Sequence, residues 1–188
     1  LSLPGIFNTS LTNIPANVPY IYADKQKSEY WKGRLHNDSF NVGIVWAGAA
    51  GFKNDHNRSC RLEYFVPLTQ IRGIRLYSLQ KGERADDLQN LPSNAEIENL
   101  GKDFDDFSDT AAAIANLDLI ISVDTAVLHL AGAMGRPAWA LLPMVPDWRW
   151  MLNCQDSPWY PTMRLFRQKS RNDWSEVFAR VGRELAAI

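Results

Sequence analysis

An acid and a hydroxyl stand side by side at the end of an apolar run, and a histidine follows four residues after the hydroxyl. These residues are Asp124, Thr125 and His129, in the stretch IISVDTAVLHLAGAMGRPAWALL at 120–142. Burial of a carboxylate costs free energy unless the group has a partner, so Asp124 needs a structural contact or a ligand. A helix that begins at Thr125 would direct unpaired N–H groups and a positive dipole end toward that ligand, which favours a phosphate or diphosphate.

Each of these residues also has an ordinary structural explanation. Threonine before a helix is a common N-cap, and a histidine on an apolar helix face is more often a core residue than a ligand. Thr125 therefore either caps the helix or donates to a phosphate. His129 lies one turn further on the same side, where it either packs in the core or reaches the same anion.

A second polar segment follows the first predicted strand. The loop WAGAAGFKNDHNRS at 46–59 carries Gly48 and then Lys53, His56 and Arg58. Glycine permits a close backbone approach, and a lysine or arginine neutralises phosphate charge. A solvated basic loop is the alternative. Because both segments are directed at one edge of the predicted sheet, a phosphate ligand is favoured when they are considered together.

The elements that must position these residues alternate between short apolar runs and helical patterns. Such alternation is typical of an α/β protein with a Rossmann-like, doubly wound and mostly parallel sheet, in which ligands bind beyond the carboxyl ends of the strands. Strands are predicted at 41–48, 74–80, 97–100, 118–123, 138–142 and 163–166, and helices at 24–35, 62–70, 107–116, 125–134 and 173–186. Gln80 and Lys81, at the end of the second strand, either reach a nucleotide or lie on the surface.

Composition indicates a globular protein with one main domain. The chain has 188 residues, 46% of them hydrophobic, and 20 basic residues against 21 acidic ones, with no run of five like charges. This balance excludes nucleic acid or an anionic membrane as the main partner. We predict a lead-in with a linker helix at 1–39 and the main domain at 40–188.

The cysteines and apolar runs indicate the compartment. Cys60 and Cys154 lack the spacing of a disulfide framework or a zinc site. No apolar run reaches the roughly 20 residues of a membrane-spanning helix, and the start of the chain lacks the pattern of a signal peptide. We therefore expect a cytoplasmic protein without a transmembrane segment. The chain begins at Leu1, which we interpret as a cut within a longer polypeptide.

Several motifs together resemble a known family. ISVDTAVLHLAGAMGRPAWALLP, DWRW, SPWYPTMRLFRQ, SLQKG and the NRS that follows VWAG resemble the carboxyl-terminal half of the glycosyltransferase family that includes the ADP-heptose heptosyltransferases. The resemblance covers most of 40–186 and is greatest to the bacterial branch in which this domain follows tetratricopeptide repeats. It implies the two-lobed GT-B architecture, in which the carboxyl-terminal lobe holds most of the nucleotide-sugar donor.

The resemblance also assigns residues. Asp124, Thr125 and His129 match the donor-binding block, and Arg58 matches the basic position after the first strand of that lobe. The block usually reads Asp-Thr-Gly, whereas Ala126 stands in the third place here and leaves the identity of the sugar open. The predicted donor-binding residues are Asp124, Thr125, His129, Arg58, Lys53, Gly48, Gln80 and Lys81.

The predicted chemistry requires neither a metal nor a cofactor beyond the nucleotide sugar, which is a substrate. No Asp-x-Asp cluster follows a strand, and the helix dipole with Arg58 can replace a cation. The acids of DFDDF at 103–107 are interpreted as complements to a helix dipole.

The catalytic residues are not identified by the sequence. In the resembling enzymes an acid of the amino-terminal lobe acts as the base. We therefore expect this chain to be part of a hexosyl- or heptosyltransferase. It would be inactive without its amino-terminal lobe, and its expected partners are that lobe or tetratricopeptide repeats of the same polypeptide.

Two other functions stay open. A nucleotide-sugar epimerase or phosphosugar enzyme of related fold would need an acid/base pair within this chain. A non-catalytic protein-interaction module would show no affinity for nucleotides.

The carboxyl-terminal quarter is rich in aromatic residues. Trp139 lies in a strand pattern and is predicted to be in the core. The loop residues Trp148, Trp150, Trp159 and Tyr160 line the donor pocket, pack under the last helix or contact another lobe. Because Trp and Tyr are enriched at interfaces, packing and lobe contact are favoured over stacking on a base.

Overall fold

Six parallel strands form one sheet in the order β3-β2-β1-β4-β5-β6 in the computed structural model, which describes residues 3–49 and 51–188. This order is the one found in dinucleotide-binding folds, and it confirms the predicted α/β class. The strands are β1 (Phe40–Val45), β2 (Ile74–Ser78), β3 (Ile97–Asn99), β4 (Leu119–Val123), β5 (Ala138–Leu142) and β6 (Met163–Arg167).

Helices cover both faces of the sheet. They are α1 (Leu3–Ile6), α2 (Lys25–Lys32), α3 (Asp55–Arg58), α4 (Phe107–Ile114), α5 (Ala126–Ala133) and α6 (Trp174–Leu185). On one face α2, α4 and α5 pack around buried Trp31, Leu79 and Ile120. On the other face α6 packs around Ile121 and Phe178. The sheet therefore lies between two apolar layers.

The predicted tryptophan and acidic features occupy the expected parts of this fold. Trp139 on β5 is partly buried and contacts Phe166 with ring centroids 4.9 Å apart. Asp106 caps α4 and forms a capping box with Asp109, as the acidic stretch at 103–107 indicated. The lead-in also reaches the core, because the indole of Trp31 on α2 is 1% exposed.

Several predicted elements differ in type or length. The segment Leu62–Gln70 is a 3-10 helix rather than an α-helix, with Pro67 inside it. Proline lacks the N–H that an α-helix would use at that position. β1 ends at Val45 rather than at residue 48, because the side chain of Gln80 accepts hydrogen bonds from the next two backbone amides. A further 3-10 helix at Glu83–Asn90 follows β2 and was not predicted.

The sheet changes direction between β1 and β4. From β1 the chain continues to β2 on one side, and from β4 it continues to β5 on the other. The loops after these neighbouring strands therefore diverge and leave a crevice at their carboxyl ends, where ligands bind in such sheets. The first loop carries Arg58, and the second carries Asp124 and Thr125. Within the described ranges, no helix is long and apolar enough to cross a membrane.

Candidate functional site

Arg58 joins the two loops of the crevice. Its Nη1 donates to the backbone oxygen of Asp124 at 2.9 Å, and its Nε donates to Asp55 Oδ1 at 3.0 Å. Asp55 also accepts a hydrogen bond from the hydroxyl of Ser59 at 2.8 Å. The hydroxyl oxygen of Ser59 in turn accepts a hydrogen bond from the backbone amide of Gly48 at 3.0 Å. The guanidinium is thereby fixed at the mouth of the crevice, and its Nη2 bonds to none of the residues that the structure describes.

The first turn of α5 faces the same place without a side-chain cap. Thr125 is the N-cap residue, yet its hydroxyl makes no cap bond and lies 3.1 Å from Ser122 Oγ instead. By contrast, Asp24, Asp106 and Asp173 cap α2, α4 and α6. The leading N–H groups of α5 consequently have no side-chain acceptor, and together with Arg58 they provide donors for an anion.

His129 contacts Asp124 and Tyr160 through its two ring nitrogens. Its Nε2 is 3.3 Å from Asp124 Oδ1, and its Nδ1 is 3.2 Å from the hydroxyl of Tyr160. The imidazole also stacks on buried Trp150 with ring centroids 5.2 Å apart. Both ring nitrogens are therefore engaged by protein groups, so His129 orients Asp124 and Tyr160 in this structure.

The carboxyl of Asp124 is an anion at neutral pH. Burial raises its pKa, but the contact with His129 and the nearby indole N–H of Trp150 oppose this effect, as does the charge of Arg58. The net pKa lies below the ordinary value. The geometry of the Trp150 N–H falls short of an ordinary hydrogen bond. Because like charges repel, this carboxylate is better suited to accept a hydrogen bond from a hydroxyl than to contact a phosphate.

Two cavities meet at Arg58, Thr125 and Ala126. The first cavity, of about 900 Å³, extends between the ends of β1 and β2 toward the start of α4, where Phe104 and Phe107 contribute to its wall. The second cavity, of about 780 Å³, extends toward β5 and the loop that follows it. Both volumes are typical of small-molecule sites. The candidate anion site thus lies at the border between two compartments.

The structure brings together most of the predicted site residues. Asp124 and His129 border the second cavity, Gly48, Gln80 and Lys81 border the first, and Arg58 and Thr125 border both. A Cβ at Gly48 would collide with the Arg58 guanidinium and the Asp55 carboxylate, so glycine leaves room for this ion pair. Their roles as ligands of a donor stay predictions.

Two of these side chains are engaged by backbone groups, and one residue lies apart. The amide of Gln80 makes four hydrogen bonds to backbone atoms, and Lys81 Nζ donates to the oxygen of Phe104 at 2.7 Å. Lys53 is exposed and borders neither cavity. Its contribution to donor binding also stays a prediction.

Sequence reasoning missed two residues of the site, Asp55 and Ser59, and one contact, that of Tyr160 with His129. Asp55 lies three positions before Arg58, and this spacing within a short helix could have indicated the ion pair. Ser59 carries no comparable signal. Tyr160 lies 31 positions from His129, and only the fold brings the two together. Within 3–49 and 51–188, no three His, Cys, Asp or Glu side chains are grouped as a metal ion would require.

Comparisons with known proteins agree with the resemblance. Residues 74–153 match the model of glycosyltransferase family 9 (heptosyltransferase), a range that contains Asp124, Thr125 and His129. The chain is also 25% identical over 180 residues to Protein FlbA of Caulobacter vibrioides, an alignment that covers 91% of this chain and 29% of FlbA.

Solved structures share the fold at low sequence identity. The chain matches the E. coli ADP-heptose lps heptosyltransferase II with a TM-score of 0.67 and 17% identity, over 92% of this chain and 54% of that one. It matches E. coli heptosyltransferase WaaC with ADP with a TM-score of 0.57 and 17% identity, over 93% of this chain and 53% of that one. It matches the glycosyl transferase family 9 protein from Veillonella parvula with a TM-score of 0.57 and 13% identity, over 88% of this chain and 46% of that one.

These matches confirm the resemblance to the heptosyltransferase family and the GT-B-type fold. The chain spans about half the length of the solved structures that it matches, and under a third of FlbA. The relation to the branch with tetratricopeptide repeats stays a prediction.

Proposed function

We propose that this chain binds the diphosphate of a nucleotide sugar at the start of α5, as the donor-binding lobe of a glycosyltransferase. The observation that carries the proposal is the pairing of the uncapped first turn of α5 with the fixed guanidinium of Arg58. Backbone N–H groups at a helix start and an arginine are the donors that protein sites use for diphosphates.

The two cavities support a ligand with groups on both sides of the diphosphate. The first cavity has a mainly apolar wall that includes Phe104 and Phe107, and Gln80 and Lys81 lie at its border. We assign the nucleoside to this cavity, since its flat, partly apolar base needs such a wall. The group on the other phosphate would then enter the second cavity.

Charge stabilisation of the leaving diphosphate is the part of the reaction that these residues can supply. When the bond between sugar and diphosphate breaks, negative charge develops on the phosphate oxygens. Fixed donors at that place lower the energy of the transition state. Transfer also needs a base for the acceptor hydroxyl. We assign that base to a part of the longer heptosyltransferases that this chain does not match.

Calorimetric titration with ADP, UDP and GDP, each beside its nucleoside, tests the proposal. We expect at least one diphosphate to bind and to bind more tightly than its nucleoside, because the diphosphate alone reaches α5 and Arg58. A bound ligand should also raise the melting temperature, since it stabilises only the folded state. A folded sample that binds none of the three diphosphates would contradict the proposal.

A further inference from the structure

Two tryptophans form a rigid corner in the second cavity. The rings of Trp148 and Trp159 lie nearly perpendicular, at 84°, with centroids 5.9 Å apart. Both side chains line the cavity that begins at Arg58, Thr125 and Ala126. This pair is called the tryptophan corner below.

Neighbouring polar groups hold the corner in place. The indole N–H of Trp159 donates to the backbone oxygen of Arg149 at 3.1 Å. The guanidinium of Arg149 lies over the Trp148 ring at 5.2 Å and pairs with the carboxylate of Asp147. Trp148 nevertheless remains 48% exposed. A large aromatic ring that is fixed and still exposed in a cavity is available to contact a ligand.

The same cavity is also lined by hydrogen-bonding groups. Asp124 is an anion there and lies against His129, and Tyr160 adds a hydroxyl. The cavity therefore combines an aromatic corner with a carboxylate acceptor. A pyranose has the matching chemistry, since its ring carbons present an apolar C–H face and its hydroxyls lie around the rim.

We propose that the tryptophan corner binds the glycosyl group of the nucleotide sugar, with the apolar face of the sugar ring against Trp148. The inference rests on the proposed function, because the sugar reaches this cavity only if its diphosphate lies at the border shared by the two cavities. In this arrangement Asp124, which lines the second cavity, accepts a hydrogen bond from a sugar hydroxyl. The corner thereby contributes to the choice of sugar.

Titrations of Trp148→Ala and the unsubstituted protein with nucleotide sugars and free diphosphates test this assignment. The probes are ADP-glucose with ADP, UDP-glucose with UDP, and GDP-mannose with GDP. We expect the substitution to weaken binding of the nucleotide sugar by roughly tenfold, as loss of an aromatic contact does. Binding of the matching diphosphate should stay unchanged.

Two further variants complete the test. Trp159→Phe keeps an aromatic ring but loses the hydrogen bond to Arg149, so it should give a smaller loss with the same preference for the nucleotide sugar. Tyr22→Ala removes an aromatic side chain that is 76% exposed and lies outside both cavities, and it should change neither affinity.

The outcomes separate this inference from the proposed function. If the unsubstituted protein binds no diphosphate and no nucleotide sugar, the proposed function itself fails. If it binds both and Trp148→Ala leaves the ratio of the two affinities unchanged, the donor site stands and the glycosyl assignment is wrong. The same unchanged ratio is expected if another protein surface covers the corner.

Discussion

Gln80 shows how a single buried side chain shapes the crevice. It is 4% exposed, and its Oε1 accepts from the amides of Trp46 and Ala47 at 3.2 and 3.0 Å. Its Nε2 donates to the oxygens of Ala47 and Lys81 at 3.1 and 3.0 Å. These bonds replace strand pairing after Val45, so the chain leaves the sheet there and opens the first cavity.

Substitution of Gln80 by glutamate should therefore destabilise the fold. Gln80→Glu keeps the shape but removes both donors and places a carboxylate against two carbonyl oxygens. We expect a loss of about 1–3 kcal/mol in the free energy of unfolding, measured by urea denaturation. The control is Gln26→Glu at an exposed position of α2, which should change the free energy of unfolding by no more than about 0.5 kcal/mol. Equal stability of Gln80→Glu and the unsubstituted protein would show that this bonding is not needed.

At the scale of elements, α5 connects the anion site to the aromatic loop. Gly132 lies on this helix against the ring of Tyr160, and a Cβ added there would come within 2.5 Å of the ring. The absence of a side chain at Gly132 lets Tyr160 approach and reach His129 at 3.2 Å. The glycine therefore helps to position the groups that hold Asp124.

Two glycine-to-alanine substitutions should have opposite effects on stability. Alanine in the interior of a helix is more stable than glycine by roughly 0.5–1 kcal/mol, whereas overpacking typically reduces stability by about 1–3 kcal/mol. Gly132→Ala should therefore be destabilising. Gly182→Ala on α6 should be stabilising, because its new Cβ would lie 3.5 Å from Leu68, an ordinary contact. Urea denaturation measures the change in the free energy of unfolding for both variants. A Gly132→Ala variant more stable than the unsubstituted protein would contradict the packing at Tyr160.

Element types and order were largely predictable from the sequence, but several ends and contacts were not. The apolar run before Asp124 and the helical pattern at 125–134 predict β4 and α5 closely, because local patterns determine these elements. The sequence of 62–70 predicts a helix but not its 3-10 type, for which Pro67 inside the segment is a signal. The contact of His129 with Tyr160 depends on the fold of distant segments, which no local pattern contains.

At the scale of the whole molecule, the sheet order determines which predicted residues can act together. Because β1 and β4 are neighbours, Arg58 and Asp124 meet although 66 positions separate them. The family model matches 74–153, a range that does not include Arg58. The resemblance of the NRS segment predicts Arg58 as a site residue, and the topology brings it to Asp124. We therefore propose that the loop after β1 and the start of α5 form one diphosphate site.

The most direct test compares nucleoside and nucleoside diphosphate binding in Arg58→Ala and in a control. The control is Arg61→Ala, whose side chain is 74% exposed and pairs with Glu63; urea denaturation verifies that both variants fold. Calorimetry should show that Arg58→Ala weakens diphosphate binding by roughly ten- to a hundredfold. Nucleoside binding should change little in either variant. Equal losses for nucleoside and diphosphate, or no loss for either, would contradict a diphosphate site at Arg58 and α5.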